Sequence, residues 1–146
     1  MSVVVDTSIV AKILFPERYS DSASALFNDA ADARERITAP YLLAVEITNV
    51  IRKRMRSDRL PFETAAALLS EYLNLPITQV EWPGFHHQAL ALSAAHSLGV
   101  HDAHFVALAQ FFGCDLWVDD TRLLRAVQGR LPFVKWIGDY AATVSP

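Results

Sequence analysis

Ser2-Val3-Val4-Val5, followed at once by Asp6-Thr7-Ser8, is the stretch on which the reading of this 146-residue chain turns. A short run rich in β-branched side chains makes a strand. An Asp-Thr-Ser sequence then closes it and opens a helix, here one that runs towards Phe15 and stops at Pro16. The same alternation continues. Ser20 to Ala33 sets Ala23, Leu26, Phe27 and Ala30 at helical spacing, and Arg36-Ile37-Thr38-Ala39 reads as the second strand. Pro40 is expected to open a helix at its first turn, with Leu42, Leu43, Val45, Ile47, Val50 and Ile51 facing inward before a basic end near Arg56. Phe62 to Leu73 is an amphipathic helix broken by Pro76, and Ile77 to Val80 is a third strand. Phe85 to Leu98 and Asp102 to Phe112 read as consecutive helices separated by Gly99. Cys114 to Val118 is a buried strand, Asp119-Asp120-Thr121 caps a helix to Gln128, and Phe133 to Trp136 is the last strand before a polar tail. Strands alternating with helices imply a mostly parallel central sheet flanked by helices on both faces, a three-layer α/β architecture.

Composition narrows the class further. Apolar residues make up 52% of the chain, with 13 Lys+Arg against 16 Asp+Glu and one cysteine, which predicts a single domain over residues 1–146 that folds without disulfides. The lone Cys114 fits a reducing compartment, so the expected location is cytoplasmic. Residues 1–15 are apolar but interrupted by Asp6 and Lys12, with no basic segment in front, which fits neither a signal peptide nor a membrane span. Five of the thirteen basic residues, Arg52, Lys53, Arg54, Arg56 and Arg59, cluster around Asp58, so this stretch carries +4 and the remainder −7. That polarity is compatible with gripping a polyanion at one edge. A solvated helix end that complements the helix dipole is the other reading.

In parallel α/β sheets, sites lie beyond the carboxyl ends of the strands, which directs attention to the residues after Val5 and Val118. Both positions are acidic: Asp6 after the first strand, and Asp119-Asp120 after the strand holding Trp117 and Val118. Taken singly, each is also a good helix N-cap. Glu46 is the only charged side chain from Tyr41 to Ile51, and its helical neighbours include Leu42, Leu43 and Val50. At a core-facing edge it needs a cation, a metal or several donors, whereas on a narrow polar stripe it needs nothing. Asp102 precedes an apolar helical run and can serve as its cap.

The combination says more than the parts. The strand-end rule brings Asp6 and Asp119-Asp120 to one rim, and helices can aim Glu46 and Asp102 at the same place. Four carboxylates in one cleft repel one another unless divalent ions offset them, and oxygen-only ligation selects Mg²⁺ or Mn²⁺ over zinc. Such a site suits phosphodiester hydrolysis, with a metal-activated water and no side-chain nucleophile.

Four segments carry these acids in order: Val3-Val4-Val5-Asp6-Thr7-Ser8; Ala44-Val45-Glu46-Ile47-Thr48-Asn49-Val50; His101-Asp102-Ala103-His104-Phe105-Val106-Ala107-Leu108-Ala109; and Val118-Asp119-Asp120-Thr121-Arg122-Leu123. Together they resemble the motifs of PIN-domain ribonucleases, and the whole chain resembles a VapC-type toxin in order, length and spacing. The resemblance implies a PIN-like nuclease domain that is an Mg²⁺- or Mn²⁺-dependent endoribonuclease, binds a VapB-like antitoxin encoded beside it, and commonly forms a homodimer. It makes Asp6 and Asp102 the principal metal ligands, Glu46 a further ligand or water-orienting base, and Asp120 the fourth acid, with a hydroxyl of Thr7 or Ser8 near the metal or phosphate. Asp120 is preferred to Asp119 because the family's acid stands two residues before Arg and three before Leu, matching Arg122 and Leu123. Asp119 is left as a supporting acid or helix cap. His101 and His104 depart from the family pattern. Two other roles remain compatible with the motifs: a PIN nuclease for RNA processing without an antitoxin, and a catalytically silent module that binds RNA or protein.

Competing chemistries find less support. The histidines, notably His86-His87 and the pair His101 and His104, lack the cysteine or HExxH companions of a zinc site, and there is no G-x-S-x-G elbow or phosphate-cradling glycine loop. Arg122 and Arg125 are candidate phosphate contacts alongside the basic cluster, while Trp82, Trp117 and Trp136 are expected to pack rather than stack on bases.

Overall fold

The computed structural model describes residues 1–141; the polar tail, 142–146, lies outside the described residues. Five strands, β1 (Ser2–Val5), β2 (Arg36–Pro40), β3 (Ile77–Val80), β4 (Leu116–Val118) and β5 (Val134–Trp136), form one sheet in the order β3-β2-β1-β4-β5 with every pairing parallel. The helices are α1 (Thr7–Leu14), α2 (Ser20–Asp32), α3 (Leu42–Ser57), α4 (Phe62–Leu73), α5 (Gly84–His96), α6 (Val100–Phe112) and α7 (Thr121–Val127). From β1 the chain steps outward to β2 and β3, then returns to the opposite side of β1 for β4 and β5. Right-handed crossovers therefore place α1 to α4 on one face and α5 to α7 on the other. Helix contacts agree with this division: α1 packs on α2, α3 and α4, while α5 packs on α6, which lies on β1, β2 and β4.

The reversal of strand order falls between β1 and β4. Such switch points leave a crevice outside the carboxyl ends of the two strands, and here those ends are Val5 and Val118. β1 is buried from Val3 to Val5, as a strand covered on both faces should be. No helix among the described residues is long and apolar enough to cross a membrane.

Two local expectations are corrected. Pro40 ends β2 instead of opening a helix; it pairs with Val80 and lies past the last β1–β2 pair, Val4 with Thr38, at the strand terminus where a missing N–H is tolerated. Val45 is 68% exposed, because the buried stripe of α3 runs through Leu43, Ile47 and Ile51 and position 45 points the other way. Smaller shifts affect the ends: β4 begins at Leu116 rather than Cys114, and α6 begins at Val100. The second shift matters chemically, since Gly99 is the residue preceding α6 and Asp102 sits within its first turn, no longer free to be its cap.

Candidate active site

Asp6 leaves β1 in an extended conformation and caps α1. Its Oδ1 accepts the backbone N–H of Ser8 at 3.1 Å and of Ile9 at 3.4 Å, together with the Ser8 hydroxyl. All three bonds go to one oxygen, and the residue is buried. Burial pushes its carboxyl up to about 7; the bonds from Ser8 and Ile9 oppose this, and the charges of Asp102 and Asp120 add to it.

Asp120 arrives at the same rim from β4 and caps α7, its Oδ1 accepting the Leu123 N–H at 3.1 Å. Glu46, half-buried on α3, accepts the Thr7 hydroxyl on Oε2 at 2.7 Å, which ties α3 to the start of α1. Its other oxygen, Oε1, is buried without a hydrogen-bond partner among the described residues. Asp102 is held above the ordinary carboxylate range first by burial, then by Asp120 and Glu46, while Arg122 and His101 pull the other way. Asp6, Asp102 and Asp120 thus act on one another across the crevice at the switch point, and Glu46 acts on Asp102. Arg122 is exposed and makes no ion pair among the described residues.

As they stand, no three His, Cys, Asp or Glu side chains among the described residues form a set that could hold a metal ion. The donor chemistry nevertheless fits a hard divalent cation: carboxylate oxygens only, a buried Glu46 oxygen lacking any donor, and an Asp6 oxygen outside the capping bonds. A carboxyl raised as Asp6 is raised also marks a group whose charge lacks compensation.

Asp119 behaves differently from its neighbour. Its Oδ2 meets the Lys12 ammonium at 2.7 Å, its Oδ1 accepts the Trp136 indole N–H at 2.9 Å, and its own N–H donates to the Ser8 hydroxyl at 2.8 Å. Burial alone would raise its carboxyl, but the Lys12 and Trp136 bonds prevail and hold it low. Ser8 therefore links Asp119 to Asp6, receiving a proton bond from one and giving one to the other. Lys12, 6% exposed, also reaches Glu17 at 3.1 Å, and Glu17 meets Arg54 at 2.8 Å. Sequence reading treated Lys12 only as an interruption of an apolar run. Its signal was there, since a single cation in an eight-residue apolar helix must find acids from elsewhere in the fold. Arg54 likewise leaves the exposed basic cluster, bonding Asp58 at 3.1 Å and lying 4.6 Å over the Phe15 ring.

His86 and His104 pair with each other. A carbonyl can only accept, so the 2.8 Å contact between His104 Nδ1 and the Val100 oxygen places a proton on His104 Nδ1, and its Nε2 lies 3.0 Å from His86 Nδ1. Trp136 packs edge-on against Tyr19, and Trp117 against Tyr140. Trp82 is half exposed beside Phe85 and Phe111.

The elevation of Asp6 has a consequence for metal-free protein. A carboxyl raised in the folded state contributes stability that is fully present below the unfolded value, near 4, and is lost as pH rises through about 7. In chelator, the melting temperature is expected to fall between pH 5.5 and 8, and the Asp6→Asn variant should show a flatter profile. A rise over that range in the unsubstituted protein, or the same slope in the variant, would contradict the assignment.

A wholly parallel sheet with acids at its switch point defines an α/β domain whose site lies beyond the strand ends. Residues 3–129 match the PIN domain. The VapC ribonuclease Mb0985 of Mycobacterium bovis is 30% identical over 117 residues, covering 77% of this chain and 91% of the relative. The chain belongs to the PIN-domain family and, within it, to the VapC ribonucleases. Solved structures carry the same fold: PAE2754 from Pyrobaculum aerophilum superposes with a TM-score of 0.66 at 21% identity, over 94% of this chain and 93% of that one. A chain of a toxin-antitoxin complex from Klebsiella pneumoniae superposes with a TM-score of 0.60 at 18% identity, over 91% of this chain and 95% of that one.

Proposed function

We propose that this protein is an endoribonuclease of one domain spanning 1–146, the toxin of a toxin-antitoxin pair, with Asp6, Glu46, Asp102 and Asp120 holding Mg²⁺ or Mn²⁺. The observation that carries this reading is the group of four acids at the switch point, one of which has a buried oxygen without a donor. Like charges settle apart in the absence of a cation.

When bound, the ion supplies positive charge to the phosphate and a water that ionises near neutral pH. The rest falls to the chain. The Thr7 hydroxyl fixes Glu46 through Oε2 and leaves Oε1 either as a further ligand of the ion or as the acceptor for a proton from the attacking water. Ser8 and the first turn of α1 fix Asp6. Exposed Arg122, close enough to act on Asp102, meets the phosphate flanking the cut.

A VapB-like antitoxin is the expected protein partner, and cytoplasmic residence goes with both partners. A homodimer is supported by an apolar surface at one end of α5 and α6: Tyr41, Trp82 and Val100 are exposed and line one cavity of about 390 Å³, and Trp82 continues it to Phe111. Dimerisation is read from the mass in solution, and Trp82→Glu should yield monomer.

The function is tested by incubating purified protein with single-stranded RNA. Cleavage is expected with Mn²⁺ or Mg²⁺ and none with chelator. The ion at a hundred times its dissociation constant stabilises by about 2.7 kcal/mol, or a melting shift of roughly 5–10 °C. Intact RNA together with a melting temperature indifferent to either ion would refute the proposal.

A further inference from the structure

On the other side of Asp119 from the four acids lies a cavity of about 680 Å³ between α7, β5 and the start of α2. Tyr19, Leu124, Val134 and Trp136 give it apolar walls, and Arg18 and Arg125 line it with positive charge. Neither arginine makes an ion pair with a carboxylate among the described residues, although Arg18 lies 4.8 Å over the Tyr19 ring and its charge helps, after Lys12 and Trp136, to hold the Asp119 carboxyl low. The one acid lining the cavity, Asp119, is matched by Lys12 at 2.7 Å and by the Trp136 indole. What remains is net positive. Guanidinium groups held in no salt bridge beside flat apolar walls fit a ligand that is anionic at one end and planar at the other.

Position decides the kind of ligand. Asp119 and Thr121 both line the cavity, and they flank Asp120 in the chain, so the cavity opens one residue away from an acid of the rim. We propose that it is a nucleotide subsite: one nucleotide of a single-stranded RNA, next to the phosphodiester at the acids, places its base against Leu124, Val134 and Trp136 and its phosphate at Arg125 and Arg18. A base in a single strand is free to enter such a space, whereas one held in a duplex is not. Lys12 has a second role here, since it cancels the charge of Asp119 that would otherwise repel the phosphate. This inference rests on the nuclease reading.

The test uses the full chain carrying Asp6→Asn, so that binding is measured without cleavage, and a labelled single-stranded RNA of random sequence and about twelve nucleotides. Arg125→Ala and Arg18→Ala should each weaken binding about tenfold and make the slope of log affinity against log salt shallower by about one. Gln128→Trp, which projects into the cavity from an exposed position at its edge, should weaken binding with the slope unchanged. Arg130, exposed in the same loop but outside the cavity, is the control, and Arg130→Ala should leave affinity unchanged. Equal losses at Arg130 and Arg125 would mean diffuse attraction and overturn the subsite. So would affinity unaffected by all three cavity variants, or competition by a poly-aspartate peptide of the same length as strong as that by unlabelled RNA. If the unsubstituted protein cleaves no RNA with Mn²⁺, the nuclease reading falls and the subsite falls with it. Normal cleavage with normal RNA affinity in the Arg125→Ala protein removes the subsite alone.

Discussion

Replacing Asp6 with asparagine is expected to abolish RNA cleavage and, in chelator, to raise the melting temperature. The two effects have opposite signs because the group that would bind the ion is the one that destabilises the fold without it. Asparagine keeps an acceptor oxygen in place for the Ser8 and Ile9 N–H groups, and it is as good an N-cap as aspartate, so α1 retains its start. What is lost is a buried negative charge facing Asp102 and Asp120. The displacement of the Asp6 carboxyl from 3.8 to about 7 sets an upper bound of about 4 kcal/mol on the gain at alkaline pH. A gain of about 1–2 kcal/mol, or roughly 3–6 °C, is the expected outcome after relaxation in the parent. Cleavage should drop by more than about a hundredfold, beyond the loss typical of removing a residue that only supports a metal ligand. The rise in melting temperature on adding Mn²⁺ should shrink with it. Asp102→Asn should reduce cleavage in the same way. A lowered melting temperature in chelator for Asp6→Asn would show Asp6 to be structural, and retained cleavage would remove it from the site.

Lys12→Met is the second large effect, and it has the ordinary sign. Lys12 is 6% exposed and serves two carboxylates, Asp119 and Glu17. Removing the cation leaves Glu17 with Arg54 alone and Asp119 with the Trp136 indole as its remaining donor. Since both acids are partly exposed, the cost falls at or below the lower end of the roughly 3–5 kcal/mol typical of a broken buried pair. The expected fall in melting temperature is roughly 10 °C, with the protein still folded at room temperature. Asp119→Asn in the same chain should restore part of the loss, since it removes the stranded charge, and the double-mutant cycle measures the coupling. Lys12→Arg is a poor substitute, because a planar guanidinium needs more room than an ammonium in a buried space. Unchanged melting in Lys12→Met would mean that the Asp119 and Glu17 contacts contribute nothing.

Much of this architecture could be read along the chain. β1, α4 and β3 stand where β-branched runs, apolar spacing and proline punctuation put them, because those signals act over a few residues. Pro40 misled because a proline at a helix start and a proline at a strand end look alike in sequence; pairing with Val80 made the difference. Val45 misled because α3 is apolar on more of its circumference than the sheet covers. The four acids were legible as strand-end and helix positions, and the PIN-domain motifs supplied their grouping.

The roles of the neighbours Asp119 and Asp120 illustrate where that legibility stopped. Both are acids after β4, and only Asp120 faces Asp6 and Asp102, while Asp119 is drawn to Lys12 and Trp136. Lys12 lies more than a hundred residues away in sequence, as does Ser8, whose hydroxyl accepts the Asp119 N–H. Periodicity and punctuation are properties of neighbours along the backbone, so they specified the strands, the helices and their parallel stacking. Which carboxylate keeps its charge uncompensated and which is neutralised depends on burial and on ions brought in by other elements, and those quantities exist only once the chain has closed around them.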